Sequence, residues 1–516
     1  MRRLSTTFVA CVAMSFVTAA SGTVVVATAS GRVAGDSADG VFVFKGIPYA
    51  AAPVGALRWR PPQPASAWTQ PRDATRFGAS CIQPARRERA GDVGPTDEDC
   101  LFLNVWTKGQ GGKRPVMAWI HGGAFRLGSG SMALYDGARF AQQGVVLVTM
   151  NYRLGRFGFF AHPALAATNP DDDRANFGLM DQAAALAWVR DNIAAFGGDP
   201  NNVTVFGESA GGASVLHLLT SPRAAGLFQK AIIESGGGHQ IDRRLDAARG
   251  PRESLMDQGI AWAKSVGVPA DADAATLRRV SAQQVLGDGQ LSEGLGGVGP
   301  VVDGVWVPDD PGMRLSRGEF AKVPLLIGTN SHEASVLEAF GTNADRLIAA
   351  LGIDRAALER LYAGAARDAA SIPDMAFGDA TFVSGSRHVA RSLASHDAPV
   401  YLYHFDYVLE RRRDKVPGAG HGSEIPYVFD SFGKLPAMVQ MLTTAEDAAM
   451  GQTMNRYWVN FAVSGDPNGA ALPHWPKYSV DGDELLLIEP KIGAVAHFRT
   501  PQLDFFQQRW EGAEAR

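Results

Sequence analysis

The stretch Val203-Thr204-Val205-Phe206-Gly207-Glu208-Ser209-Ala210-Gly211 decides the fold. A short apolar strand runs straight into a Gly-x-Ser-x-Gly motif, and the small and apolar residues of 211–220 continue it as a helix. A sharp strand-to-helix turn of this kind lifts a serine hydroxyl clear of the sheet. The glycines two residues to either side let strand and helix approach closely. The competing reading, a Gly-rich turn with an incidental serine, does not account for a strand before the motif and a helix after it. Ser209 is therefore the candidate nucleophile.

Outward from this turn the chain alternates strands and helices. Pro115–Ile120, Gly144–Met150, Ala231-Ile232-Ile233 and Pro324–Ile327 are too uniformly apolar for half-exposed strands. They suit a parallel sheet buried on both faces. Leu101–Trp106 reads as a further strand, and Thr23–Val26 and Gly40–Phe44 as β structure ahead of the prolines at 53, 61, 62 and 64. Asp181–Phe196 carries a helical stripe of Ala183, Leu186, Trp188, Val189, Ile193 and Phe196, and Gly197-Gly198-Asp199-Pro200 ends it. The alternation implies an α/β fold with one wound sheet and right-handed crossovers. Residues 240–320 and 335–415 are rich in Ala, Arg and Asp. They read as helical excursions from the sheet, with helices over Ala275–Val280 and Asp345–Ala363. No internal repeat is visible.

Composition narrows the class. Of 516 residues, 46% are apolar and 20% charged, which is ordinary globular usage and excludes a disordered chain or a coiled coil. A net charge of −4 offers no basic excess for nucleic acid. Arg2 and Arg3 precede a mostly apolar run, Leu4–Ala20, with small residues from Thr18 to Gly22. That is the layout of a signal peptide. Residues 1–20 are expected to be a leader, 21–516 a single domain, and the product exported. No later stretch approaches the ~18 uninterrupted apolar residues of a membrane span, so no stable membrane insertion is expected. Cys11 leaves with the leader. Cys81 and Cys100 remain, and an exported chain with one pair reads as one disulfide.

Acyl transfer at a serine also needs N–H donors for a developing oxyanion, a base, and an acid that orients the base. His121-Gly122-Gly123-Ala124-Phe125 follows the strand ending at Ile120, in the manner of an HGGG-type oxyanion loop, and the amide of Ala210 would add a donor beside the nucleophile. Hydrolases with this elbow order their residues Ser, acid, His. Among eleven histidines, His421 stands out in the loop Gly418-Ala419-Gly420-His421-Gly422-Ser423-Glu424. Glu333 lies just past strand 324–328, where a carboxylate reaches the active edge of a parallel sheet. Spacing alone leaves these two assignments open. His332-Glu333 begins an H-E-x-x-H match that fails at Val336, and Gly294–Gly299 fits G-x-G-x-x-G but lacks a preceding strand and runs into Pro300. The chemistry calls for neither metal nor cofactor.

Several further segments carry a resemblance. Phe44-Lys45-Gly46-Ile47-Pro48-Tyr49-Ala50, Glu98-Asp99-Cys100-Leu101-Phe102-Leu103-Asn104, Asn151-Tyr152-Arg153-Leu154-Gly155, Phe196-Gly197-Gly198-Asp199-Pro200 and Ser464-Gly465-Asp466-Pro467-Asn468 span nearly the whole chain after the leader. With the elbow, they make the chain similar to the type-B carboxylesterase family, which includes bacterial para-nitrobenzyl-type esterases, liver carboxylesterases and cholinesterases. The resemblance implies an α/β-hydrolase fold, a large and mostly parallel sheet flanked by helices, with helical excursions over an active-site gorge. It implies Ser209 as nucleophile, His421 as base and Glu333 as acid. It puts the oxyanion amides at Gly123, Ala124 and Ala210, with Gly122 supporting the turn. Cys81 and Cys100 match the family's first disulfide, whose loop lies over the gorge rim. Glu208 and Ser235 match polar residues kept near the triad. The implied substrate is a small-molecule ester, cleaved through an acyl-enzyme.

The chain departs from the cholinesterases in one respect. Residues Ile82–Asp99 contain no Trp, so the aromatic choline platform is missing. Two basic clusters, Arg86, Arg87 and Arg89, and Arg411, Arg412, Arg413 and Lys415, would lie near the gorge mouth by family geometry. They read either as attractors of anionic, polycarboxylate esters or as solvated surface, with Glu88, Glu410 and Asp414 interleaved. The same triad would also serve amides, lactones or carbamates, and a silent binding protein on this fold is the alternative of a different class. Nothing in the sequence specifies an oligomeric state.

Overall fold

Alternate residues of each apolar run feed two separate cores. Val116, Ala118, Ile120, Val203, Val205, Ala231, Ile233, Leu325 and Ile327 enter one. Met117, Trp119, Phe206, Ile232 and Leu326 enter the other. Strand side chains point to opposite faces with a period of two, and here both faces are covered. The runs are therefore apolar at every position.

In the computed structural model, described over residues 22–84, 93–169, 174–250, 252–287 and 298–514, these runs join one sheet. Its strands are β1 (Val24–Thr28), β2 (Gly31–Ala38), β3 (Val41–Pro48), β4 (Phe102–Thr107), β5 (Arg114–Ile120), β6 (Val146–Met150), β7 (Gly198–Glu208), β8 (Lys230–Glu234), β9 (Leu325–Asn330), β10 (Val400–Phe405), β11 (Glu484–Ile488) and β12 (Gly493–Ala496). The order is β1-β2-β3-β4-β6-β5-β7-β8-β9-β10-β11-β12, and a short strand, Arg72–Asp73, pairs with β2. From β6 to β11 every neighbouring pair is parallel. The flanking pairs are antiparallel. Helices Phe177–Asn192, Ala210–Thr220 and Ser384–Ala394 cover the first core. Helix Ala445–Ser464 covers the second.

Three sequence expectations change. The helix expected over Asp181–Phe196 starts earlier, at Phe177, because Asn176 takes a left-handed conformation (φ 58) and anchors its side chain to Val301 and Asp303. Its last turn tightens into a 3-10 helix, Ile193–Phe196, before left-handed Gly197. The helix expected over Asp345–Ala363 is two, Ala344–Ala350 and Arg355–Leu361, broken at Gly352 (φ 66) and restarted by an Asp354 cap on the Ala357 amide. Most consequentially, β10 is a fully buried core strand inside the segment read as a helical excursion. His421 therefore follows β10 while β11 is still to come.

Cys81 and Cys100 are joined by a disulfide. Among the described residues no helix is long and apolar enough to cross a membrane. The expected leader, the cluster Arg86, Arg87 and Arg89, and residues Gly294 to Gly297 of the glycine-rich motif lie outside the described residues.

One buried ion pair fixes the loop after β6. Asp181, fully buried, accepts from Arg153 Nε at 2.7 Å, Nη2 at 2.7 Å and the Arg153 amide at 3.0 Å. The guanidinium also lies over the Phe177 ring. Asp181→Ala would strand a buried guanidinium, a loss of about 3–5 kcal/mol. Urea unfolding should show this as a lower midpoint with an unchanged slope. An unchanged midpoint would contradict it.

Candidate active site

The parallel strands deliver their carboxyl ends to one edge of the sheet. Ser209 stands directly after β7 with φ 56 and ψ −122, a costly backbone state for a non-glycine residue. The structure holds it there by bonding the Ser209 amide to the Glu234 carbonyl (2.9 Å) and the Ala213 amide to the Ser209 carbonyl (2.8 Å). The flanking glycines are sterically required. A Cβ on Gly207 would lie 2.6 Å from the Ile120 carbonyl oxygen, and one on Gly211 would overlap the same oxygen.

The loop after β5 passes just above. A Cβ on Gly122 would come within 2.7 Å of Glu208 Oε2 and 3.1 Å of Ser209 Cβ. Gly123, Ala124 and Phe125 are all left-handed, with φ of 109, 54 and 59. The Gly123 carbonyl closes the turn by accepting from the amides of Arg126 and Leu127, each at 3.0 Å. Among the described residues nothing accepts from the amides of Gly123, Ala124 or Ala210. His121 beneath them is buried, which drops its pKa to about 4 and keeps it neutral. It stacks on Tyr152, whose hydroxyl donates to the His121 carbonyl.

Glu333 begins the 3-10 helix Glu333–Phe340 just past β9. Its Oε2 lies 2.5 Å from His421 Nδ1. Its Oε1 accepts from the Ser235 hydroxyl and the Asn330 amide, both at 2.7 Å. The loop bearing His421 is clipped to the same segment. Ala419 N–H donates to Ser331 Oγ, His421 N–H to Ser335 Oγ, and His332 N–H to the Ala419 carbonyl, each at 2.8 Å. His421 Nε2 is 3.2 Å from Glu208 Oε1, and the Phe382 ring packs 5.1 Å from the imidazole.

Ser209, His421, Glu208 and the 122–124 loop line one cavity of about 790 Å³. Leu127, Met132, Val336, Phe340, Phe377 and Phe382 make its wall largely apolar, and residues 83–84 and 93–96 of the disulfide loop form part of its lining. Among the described lining residues Glu208 is the only carboxylate, and no Lys or Arg is present. Burial alone would depress His421. The charges of Glu208 and Glu333 reverse this and push it up to about 9. Burial lifts Glu208 to about 7 against the pull of His421, and lifts Glu424 to about 8.

Arg411, Arg412, Arg413 and Lys415 are not among the residues that line this cavity. Arg411 donates to the Met441 carbonyl at 2.6 Å, and Arg413 pairs with Glu446 and covers the Tyr407 ring. Arg412 lines a separate cavity of about 390 Å³, together with Gly418, Ala419 and Gly420. The reason is local. After β10 the chain is drawn toward the start of helix Ala445–Ser464, where Asp447 accepts from the Tyr407 hydroxyl and the Glu410 amide.

The sequence reading passed over Asn330, Glu424, Glu234 and Phe382. Glu424 was within reach, three residues after His421 in the same quoted loop. Phe382 was not. It comes from a π-helical turn, Asp379–Val383, which no periodicity announces.

The elbow after β7, with an imidazole–carboxylate pair from the ends of β9 and β10, defines an α/β-hydrolase. Residues 22–506 match the carboxylesterase family, and the chain belongs to it. It is a carboxylic ester hydrolase by that membership. It is 37% identical to fumonisin B1 esterase of Sphingopyxis macrogoltabida, over 90% of this chain and 86% of that one. It is 37% identical to para-nitrobenzyl esterase of Bacillus subtilis, over 91% and 95%. Among solved structures, Geobacillus stearothermophilus carboxylesterase EST55 at pH 6.2 superposes with a TM-score of 0.80 at 36% identity, covering 94% of this chain and 99% of that one.

Removing the carboxylate beside Nε2 should make the imidazolium easier to deprotonate. In Glu208→Gln the His421 ring should therefore titrate at lower pH than in wild type, read by NMR of the labelled imidazole. An unmoved titration would show that Glu208 does not act on it.

Proposed function

We propose that this chain is an exported serine carboxylesterase that cleaves neutral small-molecule esters through an acyl-enzyme. The observation that carries the proposal is the pairing of His421 Nδ1 with Glu333 in a residue that lines the same cavity as Ser209. His421 takes the Ser209 proton as Oγ attacks the ester carbonyl. Glu333 fixes the tautomer with a proton on Nδ1 and stabilises the imidazolium. The amides of Gly123, Ala124 and Ala210 receive the oxyanion, and their lack of other acceptors supports that role. The imidazolium returns its proton to the departing alcohol. Water then repeats the sequence on the acyl-enzyme, freeing the acid and Ser209.

The cavity supports a neutral ester over a polycarboxylate one. An anionic substrate would give up its hydration to a largely apolar wall whose described lining holds no Lys or Arg. Arg411, Arg412, Arg413 and Lys415 are not among the residues that line it. The leader-like start and the disulfide support export, and residues 21–516 are proposed to form one domain.

Ser209→Ala should lower kcat on p-nitrophenyl butyrate by about 10³ or more, and adding His421→Ala should cost little further, because the two act as a unit. A Ser209→Ala enzyme within about tenfold of wild type would overturn the assignment.

A further inference from the structure

Nucleophile and acid are tied through one dipeptide at the end of β8. The Glu234 carbonyl accepts the Ser209 amide at 2.9 Å, and the Ser235 hydroxyl donates to Glu333 at 2.7 Å. The Ser235 amide donates to the Gly328 carbonyl at 2.8 Å, locking this strand end to β9. The mechanism above uses the backbone of Glu234 and not its side chain. That side chain is fully buried. Its Oε1 accepts from Trp458 Nε1 at 2.8 Å, from the helix on the second core. Its Oε2 has no partner among the described residues, and neither does Glu424 Oε1 nor the buried Tyr403 hydroxyl.

The groups around it are almost all acidic. Glu424 and Glu208 act on Glu234, and Glu333 joins them around the Tyr403 hydroxyl. Glu208 also faces Tyr135 and Tyr152. Among the described residues no Lys or Arg acts on Glu208, Glu234 or Glu424, and the one described neighbour that can carry positive charge is His421. That imidazole is already engaged with Glu333 and sits beside Glu208. A further buried carboxylate there would be uncompensated, which is strongly unfavourable. A carboxylic acid in the same place carries no charge and gains an O–H donor.

We propose that Glu234 is a positioning residue acting as a neutral carboxylic acid: Trp458 donates to one oxygen, the O–H of the other donates into the Glu424–Glu208–Tyr403 cluster, and the strand end holding the Ser209 amide is fixed without another negative charge behind His421. Burial, with the charge of Glu424 added, drives the Glu234 pKa in the direction this requires, well above the ordinary carboxylate range. The linkage has a definite sign. A carboxyl whose folded-state pKa is raised contributes stability below its unfolded value, and that contribution is lost as pH rises toward the folded value.

The positioning role rests on the esterase reading of Ser209 and His421. The protonation state does not, so the two are tested apart. Infrared spectra of wild type and Glu234→Gln at neutral pH should differ by one protonated-carboxyl C=O band, lost in the variant. The melting temperature of Glu234→Gln should fall less than that of wild type as pH is raised into the alkaline range. In steady-state kinetics Glu234→Ala should lose about tenfold or more in kcat with KM within about twofold, and Gln should restore kcat to within about threefold of wild type. An infrared difference without that band, or parallel melting curves, would mean that Glu234 is ionised, and the proposal falls. A Gln variant as slow as Ala would also overturn neutrality, and an Ala variant as fast as wild type would overturn positioning. If Glu234→Ala does not fold, the Gln variant and the infrared band still decide the protonation state. An inactive wild type would fault the esterase reading and leave that band to be judged on its own.

Discussion

The site depends on how closely helix Ala210–Thr220 crosses the end of β7. That crossing leaves no room for a side chain at Gly207 or Gly211, because the Ile120 carbonyl occupies the space on both sides. A chain forced to reverse in so few residues leaves Ser209 at φ 56 and ψ −122, a strain on the order of 1–3 kcal/mol. The strain is held by bonds to neighbouring elements, chiefly the Ser209 amide on the Glu234 carbonyl. It exposes the hydroxyl, starts a helix beside it and frees the Ala210 amide. Each is a consequence of the same turn.

The second constraint is electrostatic. Glu208, Glu234, Glu333 and Glu424 are buried within one neighbourhood that, among the described residues, offers a single imidazole for compensation. Charge this dense cannot be fully ionised in a dry interior. What results is a division of labour by environment. Glu333 is saturated with donors from Ser235 and Asn330 and bonds His421. Glu208, Glu234 and Glu424 have fewer donors and are all driven upward. The apolar wall of the cavity extends the same logic to the substrate, since it rewards groups that lose little on leaving water.

Much of this was legible in the sequence, and for identifiable reasons. The elbow is local, so Gly207–Gly211 and its flanks carried it. The two-sided burial of β5, β7, β8 and β9 wrote itself as continuous apolar runs. β10 was hidden because its run, Val400–Phe405, mixes Tyr and His with Val and Leu and sits in a long helical stretch. The pairing of Glu333 with His421 depends on β9 and β10 being neighbours, which no spacing along the chain encodes; family resemblance supplied it. The contacts of Arg411–Arg413 were not legible because they are made with Met441 and Glu446, residues far along the chain. Glu234 was passed over because a glutamate in a strand gives no sign of being buried against Trp458.

The central claim is that Ser209 is an acylatable nucleophile whose oxyanion meets three backbone amides. The most direct test is a crystal structure of the protein treated with a p-nitrophenyl alkylphosphonate. The account predicts one covalent phosphorus–Oγ bond at Ser209, a phosphonyl oxygen within hydrogen-bond distance of the amides of Gly123, Ala124 and Ala210, and the alkyl chain against the Phe340 and Phe382 wall. An unmodified Ser209 beside a labelled residue elsewhere, or a phosphonyl oxygen turned away from those amides, would contradict it.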